Sequence, residues 1–369
     1  VGTDLEEEET LPVIVFIIIL SILIFVHELG HFLVAKRLGI RVEKFALGFG
    51  PKLFSRKMGP TEYMLCAIPF GGFIKMAGDS AQEASGAQDE FLSRTPGERA
   101  RVVFAGPVFN YILAFFSLWA VFYLGYPQLT TTIGELVEGM PALKAGLRVG
   151  DKIVSVDGEV VPYWKDLTKR IHAAKGETLN LSVARGEDRF EIALSPEAKE
   201  VETLWGRKVE VGLIGIKPSE EIVLVRHGFF ESFWRGGKSL LQLTGQTLTA
   251  IYYIIAGTLS FRESVTGPLG IFFITSNAAK IGISAVIHVV GILSMSLAVF
   301  NVLPLPILDG GHIFLAGLEK LRGRRLAPRT EEVINNTGLS FLIILATFIF
   351  FNDLIRYGYW DKFLSLFVK

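Results

Sequence analysis

His27-Glu28-Leu29-Gly30-His31 sets two imidazoles four residues apart. On a helix that spacing stacks them on one face, where they can share one metal ion, and turns Glu28 roughly 100° round the axis, within reach of a water on that ion. The bland reading is three polar groups packed inside a bundle. The segment, however, continues the uncharged run Leu11–Val26 and is followed by apolar residues to Ala35. Inside such a run each ionisable group costs about 2.5–3.5 kcal/mol unless a function or a partner retains it. The chain has one cysteine, Cys66, and six histidines, so a bound metal relies on His, Asp and Glu. A catalytic zinc needs three protein ligands and one open position. His172 and His227 lie in or beside a segment of soluble composition, and His288 begins another apolar run. In Asn301-Val-Leu-Pro304-Leu-Pro306-Ile-Leu-Asp309-Gly-Gly-His312 two prolines break a helix at membrane depth, which is tolerated only beside protein or a watery cavity. Asp309 and His312 are both chemically suitable third ligands.

The elements that must position these groups are apolar. Of 369 residues 50% are hydrophobic and 29 are Phe. The uncharged stretches are Leu11–Val26, Val102–Leu129, Ile283–Leu308 and the shorter Thr337–Asn352. A helix crosses a bilayer with about 20 mostly apolar residues, so four spans are expected, the last needing its flanks. The first run lacks a basic leader and a small-residue cleavage site, so it is no cleaved signal peptide. Lys and Arg crowd residues 36–75 and again 320–329. Basic loops stay cytoplasmic, which puts both termini outside if there are four spans. Ser239–Phe261 is uncharged but carries Gln242, Thr244, Gln246, Thr247 and Thr249. It reads as an interfacial helix, because a fifth span would carry Asp309 and His312 to the wrong side. The formal net charge is zero, which gives no field to recruit nucleic acid.

Residues 130–218 have soluble composition. Short alternating runs (133–137, 152–156, 178–184, 189–194, 209–216), turns at Asp157-Gly158 and Arg185-Gly186 and a helix near Trp164–Ala174 predict one α+β domain. Ala77–Gly97 reads as a mobile loop. Glu62–Met76 is rich in β-formers and suits an exposed strand edge that could take up an unwound segment as an added strand; an ordinary cytoplasmic hairpin is the bland reading. Gly48 and Gly50 fit tight turns.

These motifs together resemble the site-2 protease family, in its bacterial sigma-E regulator type. The likeness rests on the H-E-x-x-H, on Gly106-Pro107-Val-Phe-Asn110 (similar to G-x-x-x-N), and on Asn301…Pro304-x-Pro306-x-x-Asp309-Gly310 (similar to N-x-x-P-x-P-x-x-D-G). Gly134–Gly158 is similar to PDZ domains, and Val211-Gly-Leu-Ile-Gly-Ile216 to the carboxylate-binding strand of a permuted PDZ. The resemblance implies Zn2+ held by His27, His31 and Asp309, with His312 a neighbour, Glu28 as catalytic base and Asn110 as a catalytic group that orients substrate or stabilises the oxyanion; an interhelical hydrogen bond is the other reading of Asn110. It further implies a membrane-associated β-loop that binds substrate through Gly71, Gly72 and Phe73, facing Asn301, Pro304 and Pro306.

The expected fold is a polytopic α-helical membrane protein with four transmembrane helices, an inserted PDZ-like α+β domain and a membrane-associated β-loop. Its segments are an acidic leader or expression remnant (1–10), span one (11–36), a cytoplasmic loop with the hairpin (37–98), span two (99–127), the PDZ-like domain (128–218), an interfacial helical region (219–281), span three (282–308), a basic loop (309–336), span four (337–357) and a tail (358–369). The expected activity is intramembrane endopeptidase. The expected partners are a transmembrane substrate (a single-span anti-sigma factor or a remnant signal peptide), membrane lipid and a peptide C-terminus at the PDZ. The expected place is the bacterial inner membrane, with the PDZ and both termini on the periplasmic side. A PDZ scaffold with a non-catalytic metal site, or a metal transporter, would have no need of Glu28 between the histidines.

Overall fold

The computed structural model describes residues 2–80, 82–203 and 208–360; Val1 of the expected leader and 361–369 of the expected tail lie outside them. Along the chain run α1 (Gly2–Arg37), β1 (Val42–Met58), β2 (Thr61–Met76), α2 (Pro96–Leu124), β3 (Tyr126–Leu129), β4 (Ile133–Leu136), α3 (Pro141–Lys144), β5 (Lys152–Val156) and β6 (Glu159–Val160). They continue with α4 (Trp164–Ala173), β7 (Leu179–Arg185), β8 (Asp188–Leu194), β9 (Glu197–Glu202), β10 (Lys208–Leu213), β11 (Ile216–Pro218) and β12 (Ile222–Val225). The last part is helical: α5 (Phe229–Ile255), α6 (Phe261–Ser264), α7 (Pro268–Ile281), α8 (Ile283–Val302), α9 (Asp309–Arg322) and α10 (Pro328–Arg356).

The chain forms two compact units. The first joins 1–121, 230–251 and 260–369. Among its described residues four helices are long and apolar enough to cross a membrane: Leu11–Arg37, Pro96–Leu124, Ile283–Val302 and Arg329–Arg356. α5 is not one of them. On the outermost two, Ile14, Ile18 and Ile22 of α1 and Phe341, Ile344 and Phe348 of α10 are exposed. Apolar stripes of that length are stable only against hydrocarbon, which makes this a membrane protein. Inside, Phe32 and Ala35 of α1 pack with Val42 and Phe45 of β1 and Val102 of α2. A second cluster joins Ala114 and Leu118 to Leu240 of α5 and Met295 of α8.

β1 and β2 pair along their length, and the pair is bent. The stretch Lys44–Leu47 has Glu62–Leu65 on one side and Gly72–Lys75 on the other. The expected strand Glu62–Met76 is β2, and its partner β1 makes the pair. Two further segments of this unit carry more order than composition suggests. Ala77–Gly97 is tied down: Phe91 N–H donates to Ala77 O at 2.8 Å, and the Glu90 carboxylate takes Ser85 N–H, Ser85 Oγ–H and Gly86 N–H. A carboxylate filling a ring of backbone donors orders a segment whose composition reads as loop. Residues 309–336 are mostly helical, since α9 and the first turns of α10 occupy them. Phe314, Leu318 and Leu321 recur at helical spacing there, a signal hidden by the prolines and glycines just before it.

The second unit comprises 122–229 with 252–259. A four-stranded sheet in the order β6-β5-β7-β8 is accompanied by the pairs β11-β4, β12-β3 and β10-β9. Ile153, Leu181 and Val183 of the sheet pack with Leu167 and Ile171 of α4 and with Ile214. The expected strand 209–216 is split between β10 and β11 because Gly215 has φ +82° and Ile214 turns into the core. β12 is a strand inside the stretch expected to be wholly helical; its Ile222 and Val225 partner Leu129 and Tyr126. Asp151, fully buried, accepts hydrogen bonds from Arg185 Nε at 2.7 Å and from Arg148 N–H at 2.8 Å, and these hold its carboxyl below the usual carboxylate range.

Candidate active site

His27 and His31 project from one face of α1, as their spacing requires. Their Nε2 atoms lie 3.2 Å apart. Asp309 Oδ2 lies 3.0 Å from His27 Nε2 and 3.6 Å from His31 Nε2. Among the described residues these three form the group of ligand-type side chains able to hold one ion. His312, the other ligand left open by the sequence, sits one turn further along α9 and lines a cavity of about 450 Å³ with Val103, Arg99 and Glu319.

Three features of the chain bring Asp309 in. α8 ends at Val302, and the chain reverses through Pro304 and Pro306. Ile307 has φ +76°, a left-handed conformation that a β-branched residue adopts only when its surroundings force it. A methyl on Gly310 would come 2.2 Å from the carbonyl oxygens of Val302 and Leu303, and one on Gly311 2.2 Å from Leu305 O. The two glycines therefore let α9 begin directly against the end of α8. Asp309 is the first residue of α9, where the helix dipole favours a carboxylate.

α2 supplies the other wall through one face, at residues 102, 106 and 110. Val102 O lies 2.9 Å from His31 Nδ1, which places the proton of that ring on Nδ1. Gly106 faces both rings, and a methyl there would come 2.4 Å from His31 Nε2 and 2.8 Å from His27 Cε1. Asn110 is fully buried, with its amide 3.2 Å from His27 Nδ1. Its backbone carbonyl accepts Ser294 Oγ–H at 2.8 Å, fastening α2 to α8. Gly30, a variable position of the H-E-x-x-H, allows the approach: a methyl on it would lie 2.4 Å from Ala105 O.

Glu28 points to β2. The Ile74 N–H lies on the side of its carboxylate, and a Cβ added to Gly72 would be 3.5 Å from its Cγ. Ser21 Oγ–H donates to Pro69 O at 3.2 Å, so the turn of β2 is pinned further up α1. Gly71 is buried with φ +136° beneath the Phe49 ring, which stacks on Phe73. Of the remaining site residues expected from sequence, Asn301 lies in the last turn of α8 and Pro304 is exposed in the bend that follows. Pro306 backs onto α10, where a methyl on Gly338 would come 2.3 Å from its Cβ.

The donor set fits zinc. Two imidazoles and a carboxylate are a regular catalytic set, and a tetrahedral zinc with bonds of about 2.0–2.1 Å separates its ligand atoms by roughly 3.3 Å. The three separations observed lie on either side of that value. Asp309 Oδ2 is moreover buried without a hydrogen-bond donor of its own, an acceptor that a cation would satisfy.

Membrane-length helices around a His-His-Asp cluster, with a glutamate beside it, define a zinc metalloendopeptidase of the membrane. Comparison with known proteins agrees. The model of peptidase family M50 matches residues 15–345, and the chain belongs to that family, the site-2 proteases. Among its relatives, "Putative zinc metalloprotease Atu1380" of Agrobacterium fabrum is 32% identical, covering 93% of this chain and 95% of the relative. "Zinc metalloprotease RasP" of Geobacillus kaustophilus is 28% identical, covering 95% and 99%. A solved PDZ domain of an SdrC-like protein of Listeria innocua is 23% identical over 25% of this chain and 96% of that one, with a TM-score of 0.20.

The parts played by Val102, Gly106, Gly30 and Gly338 do not follow from residue type. Val102 acts through a backbone carbonyl, which leaves no mark on the sequence. Gly106 and Asn110 share a helix face with it at four-residue steps, and that spacing is the one signal the sequence carries.

Proposed function

We propose that this enzyme cuts membrane-protein substrates at a peptide bond within or next to a transmembrane helix. The observation that carries the reading is the convergence of His27, His31 and Asp309 between helices of membrane length. Zinc held there would polarise the scissile carbonyl and lower the pKa of water at the site toward neutral, so that Glu28 can deprotonate it. His27, His31 and Asp309 hold the metal. Glu28 takes the proton from the attacking water and delivers it to the leaving amine.

A substrate helix keeps its amides bonded to itself, so the bond to be cut must first be unwound. The Gly72–Met76 side of β2, next to Glu28, receives the unwound segment as an added strand, with Gly71 and Phe73 shaping the turn and Asn301 and Pro304 opposite. The basic stretches 36–75 and 320–329 set the orientation, with the PDZ-like unit on the outer side of a bacterial inner membrane. Substrates of this kind are single-span anti-sigma factors already trimmed outside, or remnant signal peptides. The Gly212–Ile216 segment binds a peptide C-terminus. The test is purified protein in detergent with a transmembrane peptide: cleavage that stops in the Glu28→Gln variant supports the reading, and cleavage undiminished in that variant overturns it.

A further inference from the structure

Asn110 is too deeply placed to meet a substrate. Its side chain has no exposed surface, and the amide atom turned away from His27 is buried with no hydrogen-bond partner. A group that steadies the oxyanion must reach the scissile carbonyl; this one reaches an imidazole. As placed, the amide nitrogen Nδ2 faces His27 Nδ1 at 3.2 Å and Oδ1 is the atom left without a partner, an arrangement that turning the amide over exchanges. His27 Nε2 is turned to Asp309 and His31, so a neutral ring that ligates through Nε2 carries its proton on Nδ1. That proton needs an acceptor. Of the two amide atoms only the oxygen can accept, and which atom occupies a given position follows from the hydrogen-bond network. His31 shows the matching arrangement one helical turn away, with Val102 O opposite its Nδ1.

We propose that Asn110 is a positioning residue of the metal centre: its side-chain carbonyl accepts the His27 Nδ1–H and so fixes the ring as an Nε2 ligand. The inference rests on the zinc assignment above. α2 thereby orients both histidines, one through a main-chain carbonyl and the other through a side chain. Gly106 lies between the two contacts and leaves room for both rings. Ser294 holds this part of α2 against α8, the helix that leads to Asp309.

The test uses the full-length protein in detergent, with zinc affinity measured by competition against a chromophoric chelator and the visible spectrum of the cobalt-loaded form. Asn110→Ala should bind zinc about 10–100-fold more weakly, the usual effect of losing a hydrogen-bond partner of a ligating histidine, and shift the cobalt bands. Raising zinc above the new dissociation constant should restore much of its turnover. Asn110→Asp keeps an acceptor, so its zinc affinity should stay within about threefold of the parent and its kcat within about tenfold. Zinc affinity unchanged in Asn110→Ala overturns the proposal. Should that variant fail to fold, Asn110→Asp decides alone. A carboxylate facing an oxyanion would abolish kcat while zinc stayed bound, and that result also overturns it. A parent protein that binds no zinc would instead overturn the metal site itself.

Discussion

Gly30 of α1 and Gly106 of α2 meet where the two helices cross: a methyl on Gly30 would lie 3.0 Å from Gly106 N, and one on Gly106 would lie 2.4 Å from His31 Nε2. Contact this close lets a single helix face deliver two hydrogen-bond acceptors to two metal ligands.

Gly106→Ala should therefore weaken zinc binding by at least about tenfold and lower activity in proportion. Helix propensity alone favours alanine by roughly 0.5–1 kcal/mol, so a loss runs against propensity and isolates the steric effect. Gly245→Ala in α5, which has nothing within 4 Å, serves as control and should change neither quantity. Zinc titration of the two variants checks this.

Removing zinc with a chelator should abolish cleavage, and adding zinc back should restore it. Glu28→Gln separates metal binding from proton transfer. It should keep stoichiometric zinc and lose at least about 10²-fold in kcat, the usual share of a general base. Metal analysis and cleavage of a transmembrane peptide by the same sample provide the check.

The parts of this site that depend on residue type are legible in the sequence. His27, Glu28 and His31 announce themselves because ionisable groups are costly in an apolar run. The two prolines that break a helix at the same depth point to Asp309 and His312 alike, and only the family resemblance separates those two. α9 is harder to read: its apolar spacing is short, and the Pro304–Gly311 stretch masks its start. The extent of β1 is also hidden. Lys52, Arg56 and Lys57 carry no alternating pattern strong enough to signal a strand, and only the pairing of Lys52–Met58 with Thr61–Cys66 makes one. The Val102 carbonyl is invisible to composition altogether. Backbone chemistry and close approach escape a reading by residue type because they depend on where elements meet.

The second unit should be sensitive to acid through Asp151. Its carboxyl, bonded to Arg185, titrates below the unfolded value of about 4. A group depressed in this way stabilises the fold above its unfolded pKa, and the stabilisation fades as pH falls through the folded value. Exchange of the Ile153 and Val183 amides in the full-length protein should therefore speed up, beyond the intrinsic pH effect, as pH drops from 5 toward 3 (about the range where such pairs protonate). Asp151→Asn should flatten that dependence. Arg185→Ala leaves the carboxylate buried and unpaired and should cost about 2–3 kcal/mol at neutral pH, less than a wholly buried pair because the guanidinium is partly exposed. An unchanged acid profile in Asp151→Asn would remove this pair from the account of stability.

α10 backs the loop that carries one of the three ligands. Gly338 faces Pro306 so closely that a methyl would come 2.3 Å from the proline Cβ and 3.3 Å from its carbonyl carbon. Pro306 stands three residues before Asp309, next to the strained Ile307, so the turn has little slack to absorb a push. Gly338→Val should shift the turn by a few tenths of an ångström or more and weaken zinc binding by about tenfold, the order expected when a ligand's support is disturbed. Activity should fall at limiting zinc and recover in part when zinc is raised. Pro306→Gly in the same chain removes the atom the new side chain meets and should return part of the affinity. Gly317→Ala on α9, with nothing within 4 Å, should leave zinc binding unchanged. If Gly338→Val binds zinc as the parent does, α10 is a lipid-facing wall alone, with no part in holding Asp309 against the histidines.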